Sequence, residues 1–280
     1  MMHMSVSILI LTLNEEVNLP DCLDSVSWSD DIVVFDSFSS DRTVEIAKAA
    51  GARVVQRKFD NWSTHQNWAV ENIEFKYPWV YYSDADEIIP SELRDEILKV
   101  TSEKDHPEVA YRLRLKNMFM GRWIKHSSFY PSWIARLFKP DKIRWEREVN
   151  PIAVIDGPVG FLQNHFEHYS FNKGFCAWFE KHNKYSNIEA EETLKSLCNG
   201  DFKLSEVFSR NPVIRRKALK QLSFRMPGRP FAKFAYMYLL RAGFLDGRAG
   251  LTYCTLQAVY EYMIELKVKE LRRREKGLSI

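Results

Sequence analysis

The feature that most constrains this chain is a unit repeated through its first hundred residues. A short β-branched apolar run stops at a carboxylate or an amide, and a stretch with helical spacing follows. Val6–Leu13 runs into Asn14, Glu15 and Glu16; Ile32–Phe35 stops at Asp36; Trp79–Tyr82 leads into Ser83, Asp84, Ala85, Asp86 and Glu87. Such runs read as strands buried on both faces. Between them, Leu19, Cys22, Leu23 and Val26 recur at helical spacing, Thr43–Ala50 is closed by Gly51, Arg53–Gln56 is a third strand, and 65–74 is helical. Pro90 stands at the start of a helix over Glu92–Val100. The alternation predicts a mostly parallel sheet flanked by helices. Ligands of open α/β sheets bind beyond the carboxyl ends of the strands. Asn14, Glu15, Asp36, Asp84 and Asp86 are therefore expected to converge on one crevice.

The remainder has a different texture. Ala110–Leu115 and Trp133–Phe138 alternate as strands, 171–198 is helical, and 203–280 is helical and basic. The net charge of +3 conceals an asymmetry, because residues 203–280 carry 17 Lys and Arg against 6 Asp and Glu. A basic end on an acidic body predicts an anionic partner for that end, phospholipid or nucleic acid. With 45% hydrophobic residues in 280, a sizeable core can be buried. The 4 cysteines are scattered without a Cys-x-x-Cys pair, which excludes a zinc site of that kind and fits reduced thiols. No uninterrupted apolar stretch reaches membrane-spanning length, and no signal peptide is read at Met1–Met4.

Two carboxylates one residue apart at a strand end, Asp84 and Asp86, can share a hard divalent cation. Mg²⁺ or Mn²⁺ commonly bridges such carboxylates to a substrate phosphate, and the cation would neutralise a departing diphosphate. On its own the pair also fits an acidic loop. Its place after a buried strand, beside two other strands with polar ends, favours the cation.

Here the chain resembles glycosyltransferase family 2, with its GT-A fold. The likeness rests on Thr12-Leu13-Asn14-Glu15-Glu16, Val33-Val34-Phe35-Asp36-Ser37 and Asp84-Ala85-Asp86-Glu87 across residues 5–100. A closer resemblance, to bacterial β-1,4-glucosyltransferases of the lipopolysaccharide inner core, rests on Tyr130-Pro131, Arg136-Leu137-Phe138, Glu148, His168-Tyr169-Ser170, Lys181 and Gly243–Arg248. The resemblance implies an α/β, Rossmann-like sheet with a helical basic C-terminal extension. The expected division is a catalytic domain over 1–200, with a nucleotide-sugar half at 1–105 and an acceptor half at 106–200, followed by a membrane-association or oligomerisation region over 201–280.

By that resemblance Thr12, Asn14 and Glu15 line the nucleotide pocket, Gln66 and Asn67 bind substrate, and Asp36 holds the base or ribose. Asp84 faces the ribose or metal, Asp86 binds the metal directly, and His168 is a further ligand, with His165 as its substitute. Glu148 is the general base that an inverting transfer requires, with Glu146 as its rival. Arg136 belongs to the acceptor side with Trp123, Tyr130 and Trp133, and Lys181 reaches phosphate. The chain departs from the family's Asp-Ser-Gly-Ser-x-Asp-Gly-Thr loop, since Phe38 and Arg42 replace both glycines.

The implied activity is transfer of a hexose from a UDP-sugar to a lipid-linked or lipopolysaccharide-core glycan, with a polyprenyl-phosphate sugar synthase as the alternative. A non-catalytic nucleic-acid binder leaves the acidic crevice unexplained. In the tail, Leu251, Cys254, Thr255, Ala258, Val259, Tyr262, Met263 and Leu266 form one helical stripe, and Phe231, Phe234, Ala235, Tyr238 and Leu239 another. With the neighbouring cations they predict peripheral binding to the inner face of the bacterial cytoplasmic membrane. Packing on the catalytic domain or on a second subunit is the alternative.

Overall fold

The computed structural model describes residues 6–103, 107–147, 151–198, 203–225 and 228–280, which form two compact units. The first comprises residues up to Trp123 and Tyr130–Asn172. Its strands are β1 (Val6–Thr12), β2 (Ile32–Asp36), β3 (Arg53–Gln56), β4 (Trp79–Asp84), β5 (Glu87–Ile88), β6 (Ala110–Phe119), β7 (Arg122–Trp123), β8 (Trp133–Phe138), β9 (Ile143–Glu146), β10 (Ile152–Ile155) and β11 (Val159–His168). Its helices are α1 (Leu19–Val26), α2 (Thr43–Ala49), α3 (Trp62–Asn72) and α4 (Ser91–Ser102). The main sheet runs β3-β2-β1-β4-β8-β6-β11-β5, with β7 hairpinned onto β6; β9 and β10 form a separate ribbon. Strands β1 to β4 are mutually parallel where they pair, and β8 turns the sheet antiparallel before β6 and β11 run parallel to each other.

Alternation explains the layers. Every residue of β1 is buried, and Ile8 and Ile10 join one core cluster while Leu9 and Leu11 join the other, on the opposite face. The first cluster takes in Leu19, Cys22 and Leu23 of α1 with Leu93 and Ile97 of α4; the second takes in Ala69 and Ile73 from α3 and its end. Each fully buried aliphatic side chain of this kind contributes roughly 1.5–3 kcal/mol. Helix α3 begins at Trp62 rather than 65 because Asn61 caps it, its Oδ1 accepting from the Thr64 amide at 2.9 Å.

Strand β11 escapes a reading of the sequence alone. Its polar centre, Gln163-Asn164-His165, hides the inward Leu162 and Phe166, and the register against β6 shifts between Phe161 and His165. This strand carries His168 to the sheet edge.

The second unit comprises Ile124–Phe129 and Lys173–Ile280. It is built from α5 (Gly174–Cys198), α6 (Pro212–Arg225), α7 (Arg229–Ala235) and α8 (Gly247–Glu275). Ala190 of α5 packs with Ile264 and Val268 of α8. Gly250 permits the tightest approach: a Cβ there would lie 2.1 Å from the Gly243 carbonyl oxygen. The buried Asp246 carboxylate accepts from the His126 and Ser127 amides at 2.9 and 2.8 Å, fixing residues 126–127. No helix among the described residues is long and apolar enough to cross a membrane.

Candidate active site

The parallel register aligns the polar strand ends. Thr12 pairs with Asp36, Leu11 with Asp84, and Asp36 with Gln56, so β1, β2, β3 and β4 all end along one edge. The first carboxylate on that edge is wholly buried and saturated. Asp36 accepts from Thr12 Oγ1 at 3.0 Å, Gln56 Nε2 at 2.9 Å, the Ser39 amide at 3.0 Å, and Ser39 Oγ. It thereby ties the 37–40 loop to three strands. Asn14 joins the same loop: its amide donates to Ser39 Oγ at 2.8 Å, and its Oδ1 accepts from the Ser40 amide at 2.8 Å. The Glu15 amide donates to Thr43 Oγ1 at 2.7 Å, and Glu15 Oε2 accepts from Asn18 Nδ2 at 2.8 Å.

That network answers the question posed by the missing glycines. Phe38 takes the left-handed conformation, φ +61°, that a glycine adopts freely, while Arg42 at φ −77° has no need of one. Phe38 is exposed, so no packing offsets the strain. Phe38→Gly is therefore expected to raise stability by about 1 kcal/mol, read as a higher thermal midpoint.

Behind the edge lies a buried cation. Arg136 Nη2 meets Asp84 Oδ2 at 2.6 Å and also donates to Glu87 Oε1, and its guanidinium carbon sits 4.6 Å from the Tyr82 ring centroid. Burial works against this cation, but Asp84 and Glu87 outweigh it and hold the guanidinium charged. Burial pushes the Glu87 carboxyl up, with Arg136 pulling the other way. Arg136, expected beside the acceptor, thus directs Nη2 at two of the protein's own carboxylates. The other Asp84 oxygen accepts from Tyr82 Oη at 3.1 Å, and that hydroxyl accepts from Gln66 Nε2 at 2.9 Å. Gln66 accordingly reaches Asp84 through Tyr82.

Asp86 and His168 meet at the end of the sheet. His168 pairs in register with Glu87 on one side and Asn117 on the other, and Asp86 O accepts from the Tyr169 amide at 2.8 Å. His168 Nε2 lies 3.2 Å from Asp86 Oδ2, and its Nδ1 lies 3.0 Å from Asn117 Oδ1. Burial opposes the imidazolium, yet Asp86 with Glu87 and Asp84 raises the imidazole above its usual value. The Asn117 oxygen can only accept, so it holds the proton on Nδ1 and aims Nε2 at Asp86. Asn117 was not legible in the sequence; only the pairing of β6 with β11 brings it here. His165, three residues before His168, instead stacks on Trp123 with ring centroids 5.9 Å apart.

Asn67 clamps the second ribbon. Its Oδ1 accepts from the Trp145 amide at 2.7 Å and its Nδ2 donates to the Trp145 carbonyl at 2.9 Å, as a strand neighbour would. Glu146 of β9 is exposed and within 2.9 Å of Arg144, and Glu148 lies outside the described residues. Asn67→Ala is expected to free the Trp145 backbone and cost about 1–3 kcal/mol of stability, because a buried amide and carbonyl lose their partner; urea unfolding checks it. Lys181 belongs to α5 in the second unit, with its Nζ 5.8 Å from the Tyr185 ring centroid.

His65 adds a pH signature. It is buried against Phe35 with ring centroids 4.2 Å apart, Nδ1 lies 3.1 Å from Arg57 Nη1, and Nε2 lies 3.3 Å from Ser37 Oγ. Burial, then the Arg57 cation, lowers it to about 4. Between pH 6.5 and 4 the unfolded chain binds the proton that the folded chain refuses, so stability falls as pH falls through that window, by up to about 3 kcal/mol. Denaturant midpoints across pH should show this slope, and His65→Phe should remove it.

Residues 7–168 match the family model described as Glycosyl transferase family 2. An uncharacterised glycosyltransferase of Rickettsia typhi is 34% identical over 118 residues, 41% of this chain and 40% of the relative. This chain spans about two fifths of the length of its rickettsial relatives of this kind. The lipopolysaccharide core biosynthesis glycosyltransferase LpsC of Rhizobium meliloti is 25% identical over 201 residues, 68% of this chain and 72% of LpsC. Among solved structures, the mannosyltransferase PcManGT of Pyrobaculum calidifontis, in complex with GDP-Man and Mn²⁺, is 17% identical at a TM-score of 0.48, covering 94% of this chain and 86% of that one. The family match covers more than half of the sequence and the whole polar strand edge, and the chain belongs to glycosyl transferase family 2.

Proposed function

We propose that the chain is an inverting, metal-dependent glycosyltransferase that moves a hexose from a UDP-sugar to a lipid-linked or lipopolysaccharide-core glycan. The observation that carries this reading is the Asp86–His168 pair, with Nε2 aimed at a carboxylate oxygen 3.2 Å away and Nδ1 engaged by Asn117. Among the described residues no group of three or more His, Cys, Asp or Glu could hold a metal alone. Two protein donors fit an ion whose remaining ligands are water and diphosphate oxygens. An imidazole beside a carboxylate suits Mn²⁺ better than Mg²⁺. A bound divalent ion would supply positive charge to the departing nucleoside diphosphate.

The chain's own groups divide the remaining work. Thr12, Asn14, Glu15 and Asp36 shape the loops at the ends of β1 and β2, where the base and ribose would sit. Asp84, held by Arg136, would face the ribose. Glu148 takes the proton of the acceptor hydroxyl as its oxygen forms the bond to the sugar's anomeric carbon, and the bond to the diphosphate oxygen breaks with its electron pair. Nucleoside diphosphate release should be screened with UDP-glucose, UDP-galactose and UDP-N-acetylglucosamine, with Mn²⁺ and with chelator. Metal-dependent release with one donor supports the reading, and no release with any donor at saturating Mn²⁺ sinks it. Glu148→Gln should abolish transfer and spare nucleotide binding.

The second unit would seat this chemistry on a membrane. Phe231, Leu239, Leu240, Phe244 and Leu245 are exposed, and Arg241 lies among them in sequence. On α8 the predicted stripe divides. Cys254 turns inward, whereas Leu251, Val259, Tyr262 and Leu266 are exposed. Apolar side chains interleaved with cations suit an anionic headgroup layer. Flotation with vesicles of phosphatidylglycerol and phosphatidylcholine tests this. The full chain should float, and Leu239→Asp with Leu240→Asp should not.

A further inference from the structure

The outer strands carry a second chemical pattern. Leu113 of β6, Leu137 of β8, and Leu162 and Phe166 of β11 face the core on one side of the sheet. On the other side Ala110 still packs inward, but the next three positions of that face on β6 are Arg112, Arg114 and Lys116. Strand β6 lies between β8 and β11, where three cations on one face are unexpected. Lys116 is paired, with Nζ 2.8 Å from Glu167 Oε1. Among the described residues no carboxylate pairs with Arg112 or Arg114, and Arg114 Nε is buried without an acceptor.

Aromatic rings share this face with the two arginines. Trp133 pairs in register with Arg114 and Phe161 with Arg112, and the two rings meet edge to face across β6 at 5.1 Å, both exposed. The Arg114 guanidinium carbon sits 5.5 Å from the Trp133 ring centroid. Burial, then the Lys116 and Arg114 cations, lowers His165 on the neighbouring strand, so it stays neutral and adds no charge. Arg114 lies three residues before Asn117, so its side chain stands on the opposite face of β6 from Asn117 and His168, and the two groups share only the strand that runs to that end of the sheet.

We infer that this face of β6, β8 and β11 is the acceptor subsite and that it selects a saccharide bearing an anionic group, phosphate or carboxylate, which Arg112 and Arg114 bind while Trp133 and Phe161 pack on a sugar ring. Guanidinium groups fork onto either oxyanion, and an unpaired, partly buried Arg is costly unless a ligand completes it. Aromatic faces suit the apolar C–H surface of a pyranose. The inference rests on the transferase reading above.

Tryptophan fluorescence and ligand-observed NMR can be followed with four probes: glucose 6-phosphate, glucuronate, glucose and inorganic phosphate. At least one charged sugar should bind about tenfold or more tightly than glucose and than inorganic phosphate. Which of the two binds better identifies the anion. Arg112→Gln with Arg114→Gln should erase the preference, and Arg114→Lys should keep part of it, with thermal melts confirming that each variant folds. Equal binding of glucose and both charged sugars overturns the inference. So does inorganic phosphate binding as tightly as the sugars, or an undiminished preference in the folded double variant. Donor release measured on the unaltered protein keeps the two readings apart: its absence sinks the transferase, whereas lost selectivity with release intact sinks only the acceptor class.

Discussion

Asp86→Asn should leave a folded protein whose sugar transfer, under the proposed metal-assisted reaction, falls by about 10²–10³ in kcat, the loss expected when a transition-state charge loses its preorganised partner. Asp86 lies at the sheet edge with its side chain partly open to solvent, so the substitution removes a charge without opening the core. His168→Gln should follow the same pattern. Asn117→Ala should raise the half-saturating Mn²⁺ concentration by about 10–100-fold, as removal of a residue that orients a metal-bound imidazole does, with kcat recovering at high Mn²⁺. Titration of UDP release against Mn²⁺ orders the three variants. Equal Mn²⁺ dependence in all of them and in the parent chain would remove Asp86 and His168 from the metal.

Arg136→Met is the variant expected to damage the fold most. It leaves Asp84 and Glu87 without their cation, and Glu87 is buried at 2% side-chain exposure. Breaking a buried ion pair from one side costs about 3–5 kcal/mol, a large share of a typical domain's stability. Urea unfolding should show that loss. Arg136→Lys should not repair it, because a compact, strongly hydrated ammonium has no planar face to lay on the Tyr82 ring and costs more to bury than a guanidinium. Adding Glu87→Gln to Arg136→Met should recover part of the stability by removing the charge that was left alone. A double variant no more stable than Arg136→Met would show that the cost comes from lost packing against Tyr82 and Phe166.

Much of the nucleotide half was legible because its signals are local. Period and composition placed β1, β2, β3 and β4, and strand ends rich in carboxylates marked the edge where the site lies. Boundaries moved by a residue or a few, as at Asn61, where a cap sets the start of α3. The residue types at positions 84, 86 and 168 could be selected as cation ligands from chemistry and resemblance. Their partners could not. Arg136 reads as a ligand for substrate until the sheet order sets β8 beside β4 and turns its guanidinium toward Asp84. That Asn67 holds the backbone of Trp145, far along the chain, is visible only once the two segments are side by side.

The sequence by itself determined the strands and helices of the first hundred residues and the gathering of polar strand ends on one edge of a parallel sheet, because both follow from periodicity and side-chain type within a short window, and its motifs marked the family it resembles. Only the tertiary structure decided that Asp36 anchors a loop, that Asn117 aims His168 at Asp86, and that Arg112 and Arg114 share a face with aromatic rings without a carboxylate partner in the described residues. These are properties of strands distant in sequence and adjacent in space. Which atoms they bring within 3 Å is set by sheet order and register, and neither is encoded in any one segment.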